Sequence, residues 1–183
     1  MEKDHILAGC GHLFGKWGFH GVTMDDISRH LGVSKKTLYK VYTDKDAMVT
    51  DFVKLSVEKS RLDLKSRMTR EETEIKRLSI FNGFIVNRAL EAGPMFFYDI
   101  RKYYPAAYKL IKRYKHELII MLNDLFVKGQ QTGIYRNFDT MLLAELRINV
   151  LEWDIMEADQ TVESLESRQN QLFDLILNGL KKS

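Results

Sequence analysis

Cys10 is the only cysteine in this chain, so no internal disulfide and no thiolate cluster for zinc can form. That agrees with a reducing cytoplasm, and the expected role of Cys10 is that of a small residue buried in the first helix. The five histidines, His5, His12, His20, His30 and His116, never stand four apart, so the helical His pair of a zinc hydrolase is missing. No Gly-x-Ser-x-Gly elbow occurs, and the glycines flanking Cys10 lack the strand-then-helix setting of a phosphate loop. No metal, cofactor or catalytic residue is therefore expected, and the chain does not read as an enzyme. No apolar run approaches the length of a bilayer span, and Met1-Glu2-Lys3-Asp4-His5 leads into a glycine-broken segment rather than a signal core. The expected location is the cytoplasm, with no membrane partner.

Proline is nearly as scarce, with only Pro94 and Pro105, and between breaks the apolar residues recur with helical rather than strand periodicity. An all-α protein follows. Net charge is only +3, so overall basicity says little about nucleic acid and local clustering has to carry that question. After Asp44 the pattern predicts a long helix to about Arg67, striped by Met48, Phe52 and Leu55. A second is predicted from near Glu72 to Glu91, stopping at Ala92-Gly93-Pro94, then a short element over Met95 to Tyr104. Pro105 opens a helix to about Gln131, and two more cover Phe138 to Ala158 and Val162 to Leu180.

The densest information lies in residues 21–46. Thr23 is placed to cap a short helix whose first turn holds Asp25 and Asp26, carboxylates that complement the positive end of the helix dipole. Met24, Ile27 and Leu31 fall on one face of it. Gly32 supplies a position tolerant of left-handed backbone, and Ser34 can cap the next helix two residues later. The connection is about three residues long, the length of a helix-turn-helix corner. The second helix, about Lys35 to Tyr42, turns Leu38 and Tyr42 inward and Lys35, Lys36, Thr37 and Lys40 outward. Between Lys35 and Lys45 four lysines face Asp44 alone. A basic, polar helix start meets phosphates first and base edges next, which is what a recognition helix does. The Tyr39 hydroxyl can serve as a phosphate donor, and Lys45 stands at the start of the following helix, toward the far side of the groove. A lysine run alone is usually a solvated face; here it is tied to a turn, a cap and an apolar face in register.

Gly21, Thr23, Asp26-Ile27-Ser28, Leu31-Gly32-Val33-Ser34, Thr37-Leu38-Tyr39, Tyr42 and Asp44-Lys45-Asp46 stand in the order of a known pattern. This stretch resembles the N-terminal domain of the TetR (tetracycline-repressor-like) family, and Leu7 to Phe19 is similar to that family's first helix. The resemblance implies a three-helix DNA-binding domain over residues 1–46 and a helical effector-binding and dimerisation domain over 47–183. It implies phosphate contacts for the positions of Thr23, Ser34, Lys35, Thr37, Tyr39 and Lys45, and a groove-facing role for Lys36. Lys36 stands where the family often has glycine or another small residue, and Lys40-Val41 replaces a more usual aromatic-rich pair, so no operator sequence is implied.

Beyond residue 47 two features call for partners. Residues 141–156 carry apolar side chains on more than one face, and a helix apolar on two faces must be covered on both. A second copy would cover the spare face, with Leu143, Leu146 and Val150 opposed by a stripe of Leu165, Leu172, Phe173, Ile176 and Leu180; a monomer whose core takes both faces is the alternative. The resemblance likewise implies a two-fold dimer through four helices. It also places the aromatic element around Met95-Phe96-Phe97-Tyr98 at the wall of an effector pocket, with Phe81, Phe84, Phe97, Tyr98, Leu122, Phe126 and Trp153 as candidate lining. Such an aromatic stripe is more often plain core. The basic stretch of Arg101, Lys102, Lys109, Lys112, Arg113 and Lys115 is expected to be a solvated face, the alternatives being a site for an anionic effector or an extra phosphate contact. The leading expectation is a homodimeric transcriptional regulator, a repressor that leaves a palindromic double-stranded operator when a small-molecule effector binds. The alternatives are a DNA-binding regulator controlled by a protein partner or by no effector, and an all-α enzyme that borrows the fold.

Overall fold

A computed structural model describes residues 3–69, 73–156 and 162–180. Among them eight helices follow one another and no strand occurs: α1 (Lys3–Gly21), α2 (Met24–His30), α3 (Lys35–Tyr39), α4 (Lys45–Met68), α5 (Glu74–Tyr103), α6 (Pro105–Gln131), α7 (Thr140–Met156) and α8 (Val162–Leu180). The expected start near Glu72 and end at Ala158 lie outside the described residues.

Local chemistry explains the boundaries. Asp44 caps α4, its carboxylate accepting from the Ala47 amide at 2.7 Å. Asp139 does the same for α7 through the Leu142 amide at 2.9 Å, which is why that helix starts at Thr140 rather than at Phe138. The stop expected at Ala92-Gly93-Pro94 becomes a break inside α5: Gly93 takes φ 72° and ψ 165°, and the helix resumes through Pro94 to Tyr103. Only glycine adopts that backbone without strain.

The chain forms two compact units. One comprises the chain up to Lys59 with Ala92–Lys112; the other comprises Ser60–Glu91 with the chain from Arg113 onward. The first unit thus takes in more chain than residues 1–46. Its core gathers Ile6, Cys10 and Phe14 of α1, Ile27 of α2, Leu38 and Tyr42 around α3, and Met48, Val49 and Val53 of α4. Cys10 is buried, as expected, and lies against Met48 with 3.9 Å between the sulfurs. Burial pushes its thiol up to about 11, so it stays protonated and unreactive.

The second unit buries Leu64, Leu78, Phe81, Ile85, Leu122, Phe126, Ala144, Ile148 and Ile155. It also buries a polar chain of Asn82, Arg147, Gln169 and Asp154. Leu165 and Leu180, expected at a dimer interface, are buried inside this unit, while Leu143, Val150, Leu172, Phe173 and Ile176 are half-buried and Leu146 is exposed. Helix phase sets these exposures. The outward stripe of α7 runs Leu142, Leu146 and Trp153, positions i, i+4 and i+11 on one face, and Leu175 is the exposed leucine of α8.

Candidate nucleic-acid interface

The corner formed by α2 and α3 is held by two caps. The Thr23 hydroxyl accepts from the Asp26 amide at 3.2 Å, and the Asp26 carboxylate accepts from the Thr23 amide at 2.9 Å, closing a reciprocal box. The Thr23 hydroxyl also donates to that carboxylate at 2.5 Å. These bonds, the Thr23 hydroxyl first, hold the Asp26 carboxyl below its usual range, with Arg29 adding to the effect. Ser34 caps α3 by accepting from the Thr37 amide at 3.1 Å. Between the caps, Gly32 sits at φ 64° and the Val33 amide returns to the Ser28 carbonyl at 3.0 Å. A Cβ on Gly9 would lie 2.3 Å from Leu31 Cδ2, so the Leu31 side chain packs over the glycine and would have to shift for any larger residue.

With Leu38 and Tyr42 buried, the opposite side of α3 is turned outward. Lys36, Tyr39 and Lys40 are exposed there, Tyr39 to 49%. Lys35 is exposed but paired with Asp25 at 2.5 Å, which ties α3 to α2. Thr37 is half-buried, its hydroxyl 2.8 Å from that of Ser34. The helix ends at Tyr39 rather than Tyr42, although the Val41 and Tyr42 amides still bond the Leu38 carbonyl at 3.0 Å and keep Tyr42 inward.

Lys45, expected at the start of the helix after the corner, stands first in α4 and is half-buried. Its Nζ donates to the His20 carbonyl at 3.0 Å and lies 5.8 Å from the centre of the Tyr104 ring. Desolvation lowers its pKa, against the opposing pull of Asp99, Asp46 and Asp26. The same end of α1 is gripped from α5 and its extension: the His20 amide donates to Asp99 at 2.8 Å, the Tyr104 hydroxyl donates to the Phe19 carbonyl at 3.1 Å, and the His20 and Tyr103 rings stack at 3.8 Å. Gly18, at φ 71°, makes room, since a Cβ there would stand 2.8 Å from the Asp99 carboxylate. This clasp was invisible in the sequence, because nothing local links His20 to residues some eighty positions later. Lys40, turned outward as the periodicity implies, is exposed beside Lys36 and Tyr39.

The pocket candidates separate. Phe81, Leu122 and Phe126 wall a void of about 10 Å³ in the second unit, together with Leu78, Asn82, Arg147, Phe173 and Ile176. Phe84 is buried under the guanidinium groups of Arg88 and Arg67, at 5.4 and 5.8 Å, and is not a wall of that void. Trp153 is 54% exposed with Arg168 over its ring at 5.5 Å, on the outward stripe of α7. Phe97 and Tyr98 belong to the first unit, where Phe97 packs edge-on to Phe96 and Tyr98 accepts from Lys102 at 2.6 Å. Periodicity identified these aromatics as helical but could not separate outward faces from inward ones. Among the described residues no group of acidic, histidine or cysteine side chains could hold a metal ion, and no helix is long and apolar enough to cross a membrane.

Residues 6–51 match the family model of bacterial regulatory proteins, tetR family. Over 194 residues the chain is 28% identical to the uncharacterized HTH-type transcriptional regulator YvaF of Bacillus subtilis (strain 168), covering 98% of this chain and 95% of that one. A TetR transcription regulator from Haloarcula marismortui superposes with a TM-score of 0.82 at 15% identity, covering 98% of both chains. A Saccharomonospora viridis protein crystallised in complex with choline does so with a TM-score of 0.77 at 17% identity, over 99% of this chain and 98% of that one.

Proposed function

We propose that this chain, a TetR-family transcriptional regulator, acts as a cytoplasmic homodimeric repressor that leaves a palindromic operator when a small molecule fills its C-terminal part. In this reading residues 1–46 read DNA and residues 47–183 bind the effector and the second copy. The observation that carries it is the capped α2–α3 corner with Lys36, Tyr39 and Lys40 displayed outward, a short basic helix of the kind that enters a major groove. Lys36 is the base reader. Tyr39, Lys40, Lys45, Ser34, Thr37 and Thr23 contact phosphate, and Lys35 does so on releasing Asp25. The exposed stripe of Leu142, Leu146 and Trp153 on α7, with exposed Leu175 on α8, suits an isologous interface, since a two-fold contact presents one patch to itself.

Release requires the effector to prefer the non-binding arrangement. Moving the balance from 1:99 to 99:1 takes about 5.5 kcal/mol of differential affinity, and operator DNA must weaken effector binding by the same factor. The test is footprinting on the DNA upstream of the chain's own coding region. A protected palindrome is the expected result; failure to retain any duplex in dilute buffer would overturn the reading.

The small void favours a second reading, a regulator governed by a protein partner or by no effector, because about 10 Å³ holds one water and not a drug-sized molecule. A thermal-shift screen with apolar, anionic and cationic compounds separates the two. A hit that also releases the duplex supports effector control, and a blank screen supports the second reading.

A further inference from the structure

Arg101 and Lys102 bring two exposed cations to the end of α5, and α6 adds exposed Lys109 and Lys112 after the turn at Pro105. No acidic residue stands between Asp99 and Glu117. Lys3, Arg29 and Lys35 of the same unit each pair with a carboxylate, Asp51, Asp26 and Asp25 respectively. Among the described residues none of the four cations around the α5–α6 turn is ion-paired, and Asp99, the nearest carboxylate in sequence, is buried and accepts from the His20 amide. Lys102 is moreover held in place. Its ammonium donates to the Tyr98 hydroxyl at 2.6 Å and lies 4.9 and 5.1 Å from the centres of the Tyr98 and Tyr103 rings. A lysine fixed in this way loses less side-chain freedom on meeting an anion than a loose one does.

Position decides which anion this surface serves. Tyr103 stacks on His20 at 3.8 Å, and the His20 carbonyl receives the Lys45 ammonium at 3.0 Å. His20 is itself exposed and stands three residues before Thr23, the cap that starts α2. An unbroken run of contacts thus joins Lys102 to the edge of the helix-turn-helix corner, and all of it lies in the first unit together with α2 and α3. Duplex DNA carries one negative charge for about every 1.7 Å of its axis, so a cation beside the corner has phosphates near it when a duplex is seated. An acidic peptide or a small anion would satisfy the charge, but neither accounts for its place next to Lys45. We infer that Lys102, with Arg101 beside it, is a phosphate contact outside the helix-turn-helix corner, so that the DNA footprint of the first unit includes the α5–α6 turn. Lys109 and Lys112, neighbours at i and i+3, extend the cationic surface and attract the duplex at longer range. Such contacts position the duplex and carry no sequence information. The inference rests on the regulator reading above, because it needs a duplex seated on α3.

The test uses the full chain and a duplex carrying the palindrome protected upstream of its coding region, with affinity followed from about 50 to 200 mM salt. Lys102→Ala should bind several-fold more weakly at the low end and lower the salt slope by about one. Lys102→Arg keeps the charge and should restore the slope, whereas Lys102→Glu should bind more weakly than Lys102→Ala. Ethylation interference should reveal phosphates that matter to the wild-type chain and not to Lys102→Ala. Lys59→Ala controls for net charge: it removes an exposed lysine of the same unit, fourteen residues along α4 from Lys45, about 21 Å at 1.5 Å per residue. It should leave the slope unchanged. Wild-type affinity and slope in Lys102→Ala would overturn the inference, as would an equal loss in Lys59→Ala. So would weaker binding at unchanged slope, which marks a structural role acting through Tyr103. If Lys36→Ala and Lys45→Ala weaken the complex while Lys102→Ala does not, this inference falls and the regulator reading stands. If the wild-type chain retains no duplex, the regulator reading falls and this inference with it.

Discussion

Lys45 illustrates how one side chain can serve the fold and the surface together. Its bond to the His20 carbonyl holds the start of α4 against the end of α1, so Lys45→Ala should lower the melting temperature even without DNA. On DNA it should weaken binding by a similar factor on every sequence and reduce the salt slope by about one. Calorimetry and salt-titrated gel shifts check the two effects separately. Lys36, exposed and without such a bond, should behave differently: Lys36→Ala should leave the melting temperature unchanged and alter base preference, read by selection from a random duplex pool. Asp26 gives a pH signature. Its folded-state pKa is depressed by the Thr23 bonds, so the stability it contributes is present above the unfolded value of about 3.9. That stability disappears as pH falls through the folded value. Asp26→Asn should therefore flatten the acid limb of the stability profile, as thermal melts from pH 2 to 6 would show.

At the scale of the element, caps were the most legible feature, because a cap is decided by a side chain and the backbone three residues on. Thr23 and Ser34 are both caps where the local pattern put them. Ser34→Ala should cost about 1 kcal/mol, a fall of about 2–4 °C in Tm for a chain of this size, measured by calorimetry. Breaks inside helices were partly legible. Gly93-Pro94 announced a turn of direction, whereas Gly18 at φ 71° has no sequence signal beyond being glycine, and its reason is the Asp99 carboxylate that fills the space beside it. Gly129 is a similar case: a Cβ there would stand 2.0 Å from the ring of buried Tyr135. Gly129→Ala should destabilise by about 1–3 kcal/mol through overpacking, despite the better helix propensity of alanine; urea unfolding at constant m-value checks it.

For the whole molecule, the exposed apolar stripe of α7 and Leu175 of α8 is the feature that asks for a second copy. A charge at its centre should prevent association, so Leu146→Glu is expected to run as a monomer in light scattering. It should bind a half-site with unchanged affinity while losing the advantage of the full palindrome. The order of helices, the helix-turn-helix corner and its outward lysines were determined by the sequence alone, because period, caps and turn glycines act over a few residues. Which of two apolar faces on α7 points outward, the engagement of Lys45 and Lys35, the clasp of the end of α1 by Asp99 and Tyr104, and the burial of Arg147 against Asn82 and Gln169 were decided only by tertiary structure. Each depends on groups brought together from distant parts of the chain, where spacing along the sequence carries no distance information.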